Sequence, residues 1–172
     1  MASGVTPSLR ADQVEVTCRE EPVITSRHPE IYSARGAEAV IRFGGGSASK
    51  IRVAKQYRHP ELDKKLITER TRAEARLIAE ARRAGVRTPV ISGITSDTII
   101  IEHIEGLKLK DDLSIDHLVE AGRMVGRLHS AHIVHGDLTT CNFLVRDGKL
   151  WLIDFGLAAT SAETEHRGVD IH

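Results

Sequence analysis

The run His135-Gly136-Asp137-Leu138-Thr139-Thr140-Cys141-Asn142, followed by Asp154-Phe155-Gly156, constrains this chain more than any other feature. Between the two runs lie Phe143 to Arg146 and Leu150 to Ile153, flanking Asp147-Gly148. Asp-Gly between two apolar runs is a strong two-residue hairpin signal, because both turn positions need positive φ. Such a hairpin folds the chain back on itself and brings Asn142 and Asp154 together. Two carboxylates and an amide then converge, a hard-oxygen set suited to Mg²⁺ rather than to softer metals. A carboxylate beside a metal of that kind suits chemistry in which negative charge spreads over phosphate oxygens.

The two runs match the catalytic loop H-x-D-L-x-x-x-N and the metal-binding D-F-G of protein kinases. On that pattern Asp137 accepts the proton of a nucleophilic hydroxyl or orients a water, and Asn142 and Asp154 hold the metal. His135 packs against the loop and hydrogen-bonds it. Upstream, Lys55 closes the alternating run Val53-Ala54-Lys55, where the pattern places its phosphate-binding lysine. Glu74, on the following helix between Arg72 and Arg76, is the candidate partner of Lys55, with Glu69 as the rival. The loop over the phosphates is expected at Arg35-Gly36-Ala37-Glu38-Ala39, with Gly36, Ala37 and Glu38 as ATP contacts. Of the glycines usual there only Gly36 remains, and Glu38 adds a negative charge. Glu102 and Ile104 are further candidate ATP contacts. Gly44-Gly45-Gly46 is better read as a hairpin turn than as a phosphate cradle. Two positions depart from the pattern. Gly136 stands where many kinases carry an arginine that receives an activation-loop phosphate, and Thr139 where many carry a phosphate-contacting lysine.

The order of elements agrees with such a fold. Strands are expected at Ile31 to Ala34, Ala39 to Phe43 and Lys50 to Gln56, after a weak one at Val14 to Cys18. Pro60 opens a helix that ends near Gly85, with Leu66, Ala73, Leu77, Ile78 and Ala81 as its apolar stripe. Strands Val90 to Ile94 and Thr98 to Glu102 follow, then a polar hinge from His103 to Asp112. Ser114 caps a helix running through Ala131, with Leu118, Ala121, Val125 and Leu128 facing inward. The reading is an α+β, minimal protein-kinase-like bilobal fold. Its N-lobe is an antiparallel sheet plus one long helix, and its C-lobe is reduced and truncated. Residues 1–20 form a tail, 21–102 the N-lobe and 103–172 the C-lobe.

Lys plus Arg equals Asp plus Glu at 24 each, so bulk charge argues for no nucleic-acid or membrane partner. The arginines from Arg70 to Arg87 are interleaved with Glu69, Glu74 and Glu80, which favours a solvated helix face, a tRNA-facing patch being the alternative. His129, His132 and His135 recur at a helix end and are not read as a metal site. Cys18 and Cys141 make no C-x-x-C pair and no disulfide scaffold. No apolar run approaches the ~20 residues of a membrane span. The N-terminus lacks a signal-peptide pattern, and the expected location is cytoplasmic.

The combination Gly36 to Ala39, Tyr57 to Asp63, H-G-D-L-T-T-x-N and D-F-G-L-A resembles the small atypical kinase subunit of the archaeal and eukaryotic KEOPS complex. The likeness runs from about Ile24 to Asp170. It implies an ATP- and Mg²⁺-dependent Ser/Thr kinase or ATPase supporting threonylcarbamoyl-adenosine formation in tRNA. Its implied partners are the threonylcarbamoyl-transferase synthase subunit, the other KEOPS subunits and, indirectly, tRNA. Cys141 stands where that family usually has serine. Ala2 to Val5 and Arg10 to Thr17 resemble the end of the synthase subunit, which implies a piece of a synthase–kinase fusion. The alternatives are a nucleotide-binding scaffold without turnover and a small-molecule kinase of the aminoglycoside phosphotransferase type.

Overall fold

The computed structural model describes residues 32–35 and 39–171, with side chains from 39 onward. The expected tail at 1–20, the weak strand at Val14 to Cys18, and Gly36, Ala37 and Glu38 lie outside the described residues.

Strands β1 (Tyr32–Arg35), β2 (Ala39–Gly44) and β3 (Ser47–Arg52) form a meander. Helix α1 (Pro60–Arg83) follows, then β4 (Ile91–Ile94) and β5 (Thr98–Glu102). All pair antiparallel, in the order β1-β2-β3-β5-β4. Gly45 and Gly46 sit at φ +57° and +72°, so the triple glycine is a hairpin turn, as its sequence indicates. Pro60 begins α1, where its missing N–H costs nothing, with Glu61 and Asp63 in the first turn and Arg82 and Arg83 in the last. The helix ends in a Schellman motif. Gly85 takes φ +84° and donates to Arg82 O, while Val86 N donates to Ala81 O. Its inward face carries Asp63, Thr71, Glu74, Leu77, Ile78 and Ala81. Ala73, expected inside, is exposed, because the face that meets the sheet is centred on Glu74.

The expected hinge is partly structured, with β6 (Leu107–Lys108) and a 3-10 turn, Leu109–Asp111. Leu109 is fully buried and anchors it. Helix α2 (Ile115–Ser130) is capped by Ser114 Oγ, which accepts from His117 N at 3.1 Å. Met124 and Leu128 are its buried positions, and Leu118 is exposed, contrary to expectation. Short β7 (Ile133–Val134) leads into the loop containing Asp137. The hairpin β8 (Phe143–Arg146) and β9 (Lys149–Leu152) turns at Asp147 and Gly148, both at positive φ, and pairs with β6. Strand β10 (Ala159–Thr160) pairs with β7, and a one-turn helix α3 (Thr164–Gly168) follows.

One core joins the two halves. Leu77, Ile78, Ala81 and Val86 pack with Leu109, Met124, Leu128, Leu150, Leu152 and Phe155. The backbone stitches the same seam, Leu152 N donating to Arg87 O at 2.8 Å. The base of α1 is thereby fixed against the hairpin that precedes Asp154.

Candidate active site

In β3, Lys50 and Arg52 point to the same side of the sheet, because side chains alternate along a strand. That side faces α1. Lys50 Nζ lies 2.7 Å from Glu74 Oε1 and 2.6 Å from Asp154 Oδ1. Arg52 Nη2 lies 2.5 Å from Glu74 Oε2. Glu74 is thus buried between two cations, and Lys50 bridges the sheet, the helix and the D-F-G turn. Burial alone would lower the pKa of Lys50, but Glu74 and Asp154 outweigh it and raise it. Burial would raise Asp154; Lys50 and the N–H of Gly156 overcome this and hold it below the usual carboxylate range.

The D-F-G turn needs its residues for geometric reasons. Asp154 sits at φ +61°, a left-handed conformation that Asp tolerates better than most residues. Its Oδ1 accepts from Gly156 N at 3.1 Å. A Cβ on Gly156 would stand 3.0 Å from that oxygen and 3.4 Å from Lys50 Nζ, so glycine makes room for the bridge. Phe155 is buried and meets the His135 ring edge-on, the centroids 4.9 Å apart.

On the facing loop, Asn142 Nδ2 donates to Asp137 O at 2.7 Å and to Asp137 Oδ2 at 3.0 Å. Asn142 O accepts from Ile153 N at 2.9 Å, which ties the loop to the residue before Asp154. Because both amide hydrogens go to Asp137, Asn142 Oδ1 is left to face a cation. Asp154 is 46% exposed and has its second oxygen available, so the donor set fits Mg²⁺. Among the described residues no three His, Cys, Asp or Glu side chains cluster as a closed metal site. An open set of this kind leaves positions for water and phosphate oxygens.

The loop from His135 to Asn142 is held from behind by Asp170. Its Oδ2 accepts from His135 N at 2.8 Å, its Oδ1 accepts from Gly136 N at 2.7 Å, and His129 Nε2 lies 3.0 Å from Oδ2. Gly136 sits at φ +80°, and a Cβ there would come 2.6 Å from Leu157 O. An arginine at 136 would not fit this close approach. His135 Nε2 lies 3.1 Å from Ile153 O, while its buried Nδ1 has no hydrogen-bond partner among the described residues. Desolvation by burial is the largest effect on this imidazole, and its pKa is lowered. The neutral form with the proton on Nε2 follows.

Comparison with known proteins places the chain in a family and a fold. Residues 43–168 match the RIO domain. The chain belongs to the RIO-domain family. A probable bifunctional tRNA threonylcarbamoyladenosine biosynthesis protein of Methanospirillum hungatei JF-1 is 74% identical over 170 residues. A protein of the same description from Methanoculleus marisnigri is 58% identical over 172 residues. In each case 99% of this chain is matched but only 33% of the relative, so the chain spans about a third of their length. The crystal structure of the Rio2 kinase–ADP/Mg²⁺–phosphoaspartate complex from Chaetomium thermophilum superposes with a TM-score of 0.72 at 16% identity. It covers 86% of this chain and 53% of that one. The fold is therefore the kinase-like RIO fold.

Within this RIO domain the expected residues fall as follows. Asp137 and Asn142 are hydrogen-bonded to each other, and Asp154 meets Glu74 through their shared lysine. That lysine is Lys50, which corrects the expectation placed on Lys55. Strand β3 ends at Arg52, whose N–H donates to Asp97 O, so the expected strand from Lys50 to Gln56 breaks off before Lys55. Lys55 is held through its backbone, its N–H donating to Asp63 Oδ2 at 2.9 Å. The rival Glu69 is exposed and faces Lys65. Ile104 lines a cleft of about 680 Å³ with Phe43, the three glycines, His103, Glu105 and Gly106. Glu102 turns its carboxylate towards Arg146, 3.3 Å away. Lys50, Asp137, Asn142 and Asp154 do not line that cleft. Lys50, Arg52 and Asp170 were missed. The alternation of Lys50 and Arg52 was the available signal for the first two, and nothing local marks Asp170. Cys141, read as making no disulfide scaffold, is disulfide-bonded. Among the described residues no helix is long and apolar enough to cross a membrane.

Proposed function

We propose that this RIO domain binds ATP with Mg²⁺ and transfers the terminal phosphoryl group to a serine or threonine hydroxyl or to water. The observation that carries the reading is Lys50 bridging Glu74 and Asp154 while Asp137 and Asn142 stand hydrogen-bonded on the facing loop. Lys50 is the cation that passes from Asp154 to a phosphate oxygen. Glu74 keeps its ammonium oriented during that exchange. Asp154 and Asn142 Oδ1 hold the metal, which when bound neutralises charge on the phosphates. Asp137 is exposed and accepts the proton of the attacking hydroxyl or orients the water. Ile104 and its neighbours in the cleft beside the hinge receive the base, with Glu102 as a further ATP contact. Gly36, Ala37 and Glu38 are assigned as further ATP contacts on their sequence position alone. We retain the division at 102/103 as the boundary between the lobes.

Thr139 leaves the loop without a second cation, so turnover in the isolated chain is slow. Deleting one preorganised donor elsewhere costs roughly 3 kcal/mol of transition-state stabilisation. The relatives named for tRNA threonylcarbamoyladenosine biosynthesis support a role in that modification, with the rest of the longer protein as a partner in cis and other KEOPS subunits and tRNA in trans. Ion-pair geometry and donor chemistry support the enzyme reading over a nucleotide-binding scaffold.

The test is calorimetric titration with ADP, with and without Mg²⁺, alongside phosphate release from MgATP. Magnesium-dependent binding with slow release, accelerated by the synthase subunit, is expected. Binding without any release under either condition would leave the scaffold reading.

A further inference from the structure

Arg52 has no place in the chemistry above, yet it is the more deeply buried of the two cations on Glu74. The Arg52 and Glu74 side chains are 5% and 3% exposed, against 12% for Lys50. The two cations divide the carboxylate, Arg52 on Oε2 and Lys50 on Oε1. Lys50 also has a second anion within reach, Asp154. When Lys50 turns to phosphate, Glu74 would keep a diminished share of it. A carboxylate this deeply buried does not tolerate losing its compensation. Arg52 supplies that compensation from a fixed direction. It ends the sheet segment, its backbone N–H tied to Asp97 O at 2.8 Å. A planar guanidinium also sets direction as an ammonium does not. The guanidinium borders the metal turn as well, since a Cβ on Gly156 would lie 4.0 Å from Arg52 Nη2.

We propose that Arg52 is the positioning residue of this site, clamping Glu74, and with it helix α1, in the bridging arrangement whether or not Lys50 is engaged. Helix α1 then needs neither bound nucleotide nor a phosphorylated segment to hold its place. Lys50 can leave Asp154 without releasing the helix. What Lys50 does in that account rests on the phosphotransferase reading; what Arg52 holds does not.

The test uses the full 172-residue chain and two readouts. In MgATP turnover, Arg52→Leu is expected to lower kcat by up to about 100-fold, the scale of a misplaced catalytic group, with KM for ATP changed much less. Arg52→Lys recovers part of the loss, because charge returns without the fork. In a Glu74→Gln background the Arg52→Leu change adds nothing further, since Arg52 acts through Glu74. The second readout is hydrogen exchange of the α1 amides around Glu74 without nucleotide. Arg52→Leu speeds it, whereas Lys50→Met leaves it as in the wild type. Multiplicative effects of Arg52→Leu and Glu74→Gln overturn the proposal, as does equal loosening of α1 by Lys50→Met. If Arg52→Leu does not fold, the exchange contrast is read between Arg52→Lys and Lys50→Met, with Arg52→Lys expected the faster. A wild type with no turnover, either alone or with the synthase subunit, refutes the phosphotransferase reading, while the exchange contrast still decides the role of Arg52.

Discussion

Above the hinge, Lys50, Arg52 and Glu74 hold one another as charges on regular elements, a strand and a helix. Below it, Asp137, Asn142 and Asp154 are placed by loop backbone. Asp154 and Gly136 take positive φ, Asp170 accepts two backbone N–H groups, and the Asn142 carbonyl accepts from Ile153. The upper half is an electrostatic device on a rigid frame and the lower half a conformational one. The difference teaches where each half is vulnerable. Charge-neutralising changes damage the upper half, and changes of backbone preference damage the lower.

The largest effect tests whether the lower half carries the chemistry. Asp137→Asn fills the same volume but cannot take a proton. Its phosphate release is expected to fall by roughly 10²–10⁴-fold, with ADP affinity retained in calorimetry. Wild-type release in this variant would move the chemistry elsewhere.

Next, the upper half sharpens the choice of lysine. Lys50→Ala removes the cation shared by Glu74 and Asp154, and turnover should fall by about 10²-fold or more. Lys55→Ala should fall at least about tenfold less, because Lys55 lies past the end of β3. Equal losses would break the assignment of Lys50.

A smaller effect, on stability, probes the backbone side of the comparison. Gly136→Ala puts a methyl 2.6 Å from Leu157 O at φ +80°. It should cost about 1–3 kcal/mol in thermal or urea unfolding. Gly148→Ala has positive φ but nothing within 4 Å of the added carbon, and should cost less, about 1 kcal/mol.

The smallest effect is on pH dependence. His135 has a lowered pKa, so its stabilisation is complete above the unfolded value of about 6.5. It is lost as pH falls through the lower, folded value. Asp154 is also lowered, and its contribution fades only as pH drops below about 3.9, through its folded value. Lys50 is raised, so its contribution holds below about 10.5 and fades as pH climbs through its folded value. The melting temperature should therefore stay flat from about pH 7 to 9 and decline below about 6.5. His135→Gln should flatten the first part of that decline.

The lower half was legible because its residues are close in sequence. Asp137 and Asn142 are five apart, and the Asp147-Gly148 turn announces the return that delivers Asp154. The upper half was legible in its elements and not in its partners. Pro60 and Gly85 marked α1 to within a turn, and Glu74 was identified as the acidic residue of the bridge. The lysine was misassigned because a run with cations at Lys50 and Lys55 offers two candidates. Ala73 and Leu118 were misplaced for a related reason, since an apolar side chain signals burial only where another element covers it.

The sequence by itself therefore determined the kinase-like fold class, the loop from His135 to Asn142, the D-F-G turn and the order of elements. These depend on local backbone preference and residue type, which near neighbours express. The tertiary structure decided which lysine serves the site, that Arg52 shares Glu74 and that Asp170 braces the loop from the far end of the chain. Those contacts join residues 22 to 104 positions apart. Where β3 ends against β5, and which of its faces meets α1, is fixed only when the sheet and the helix pack.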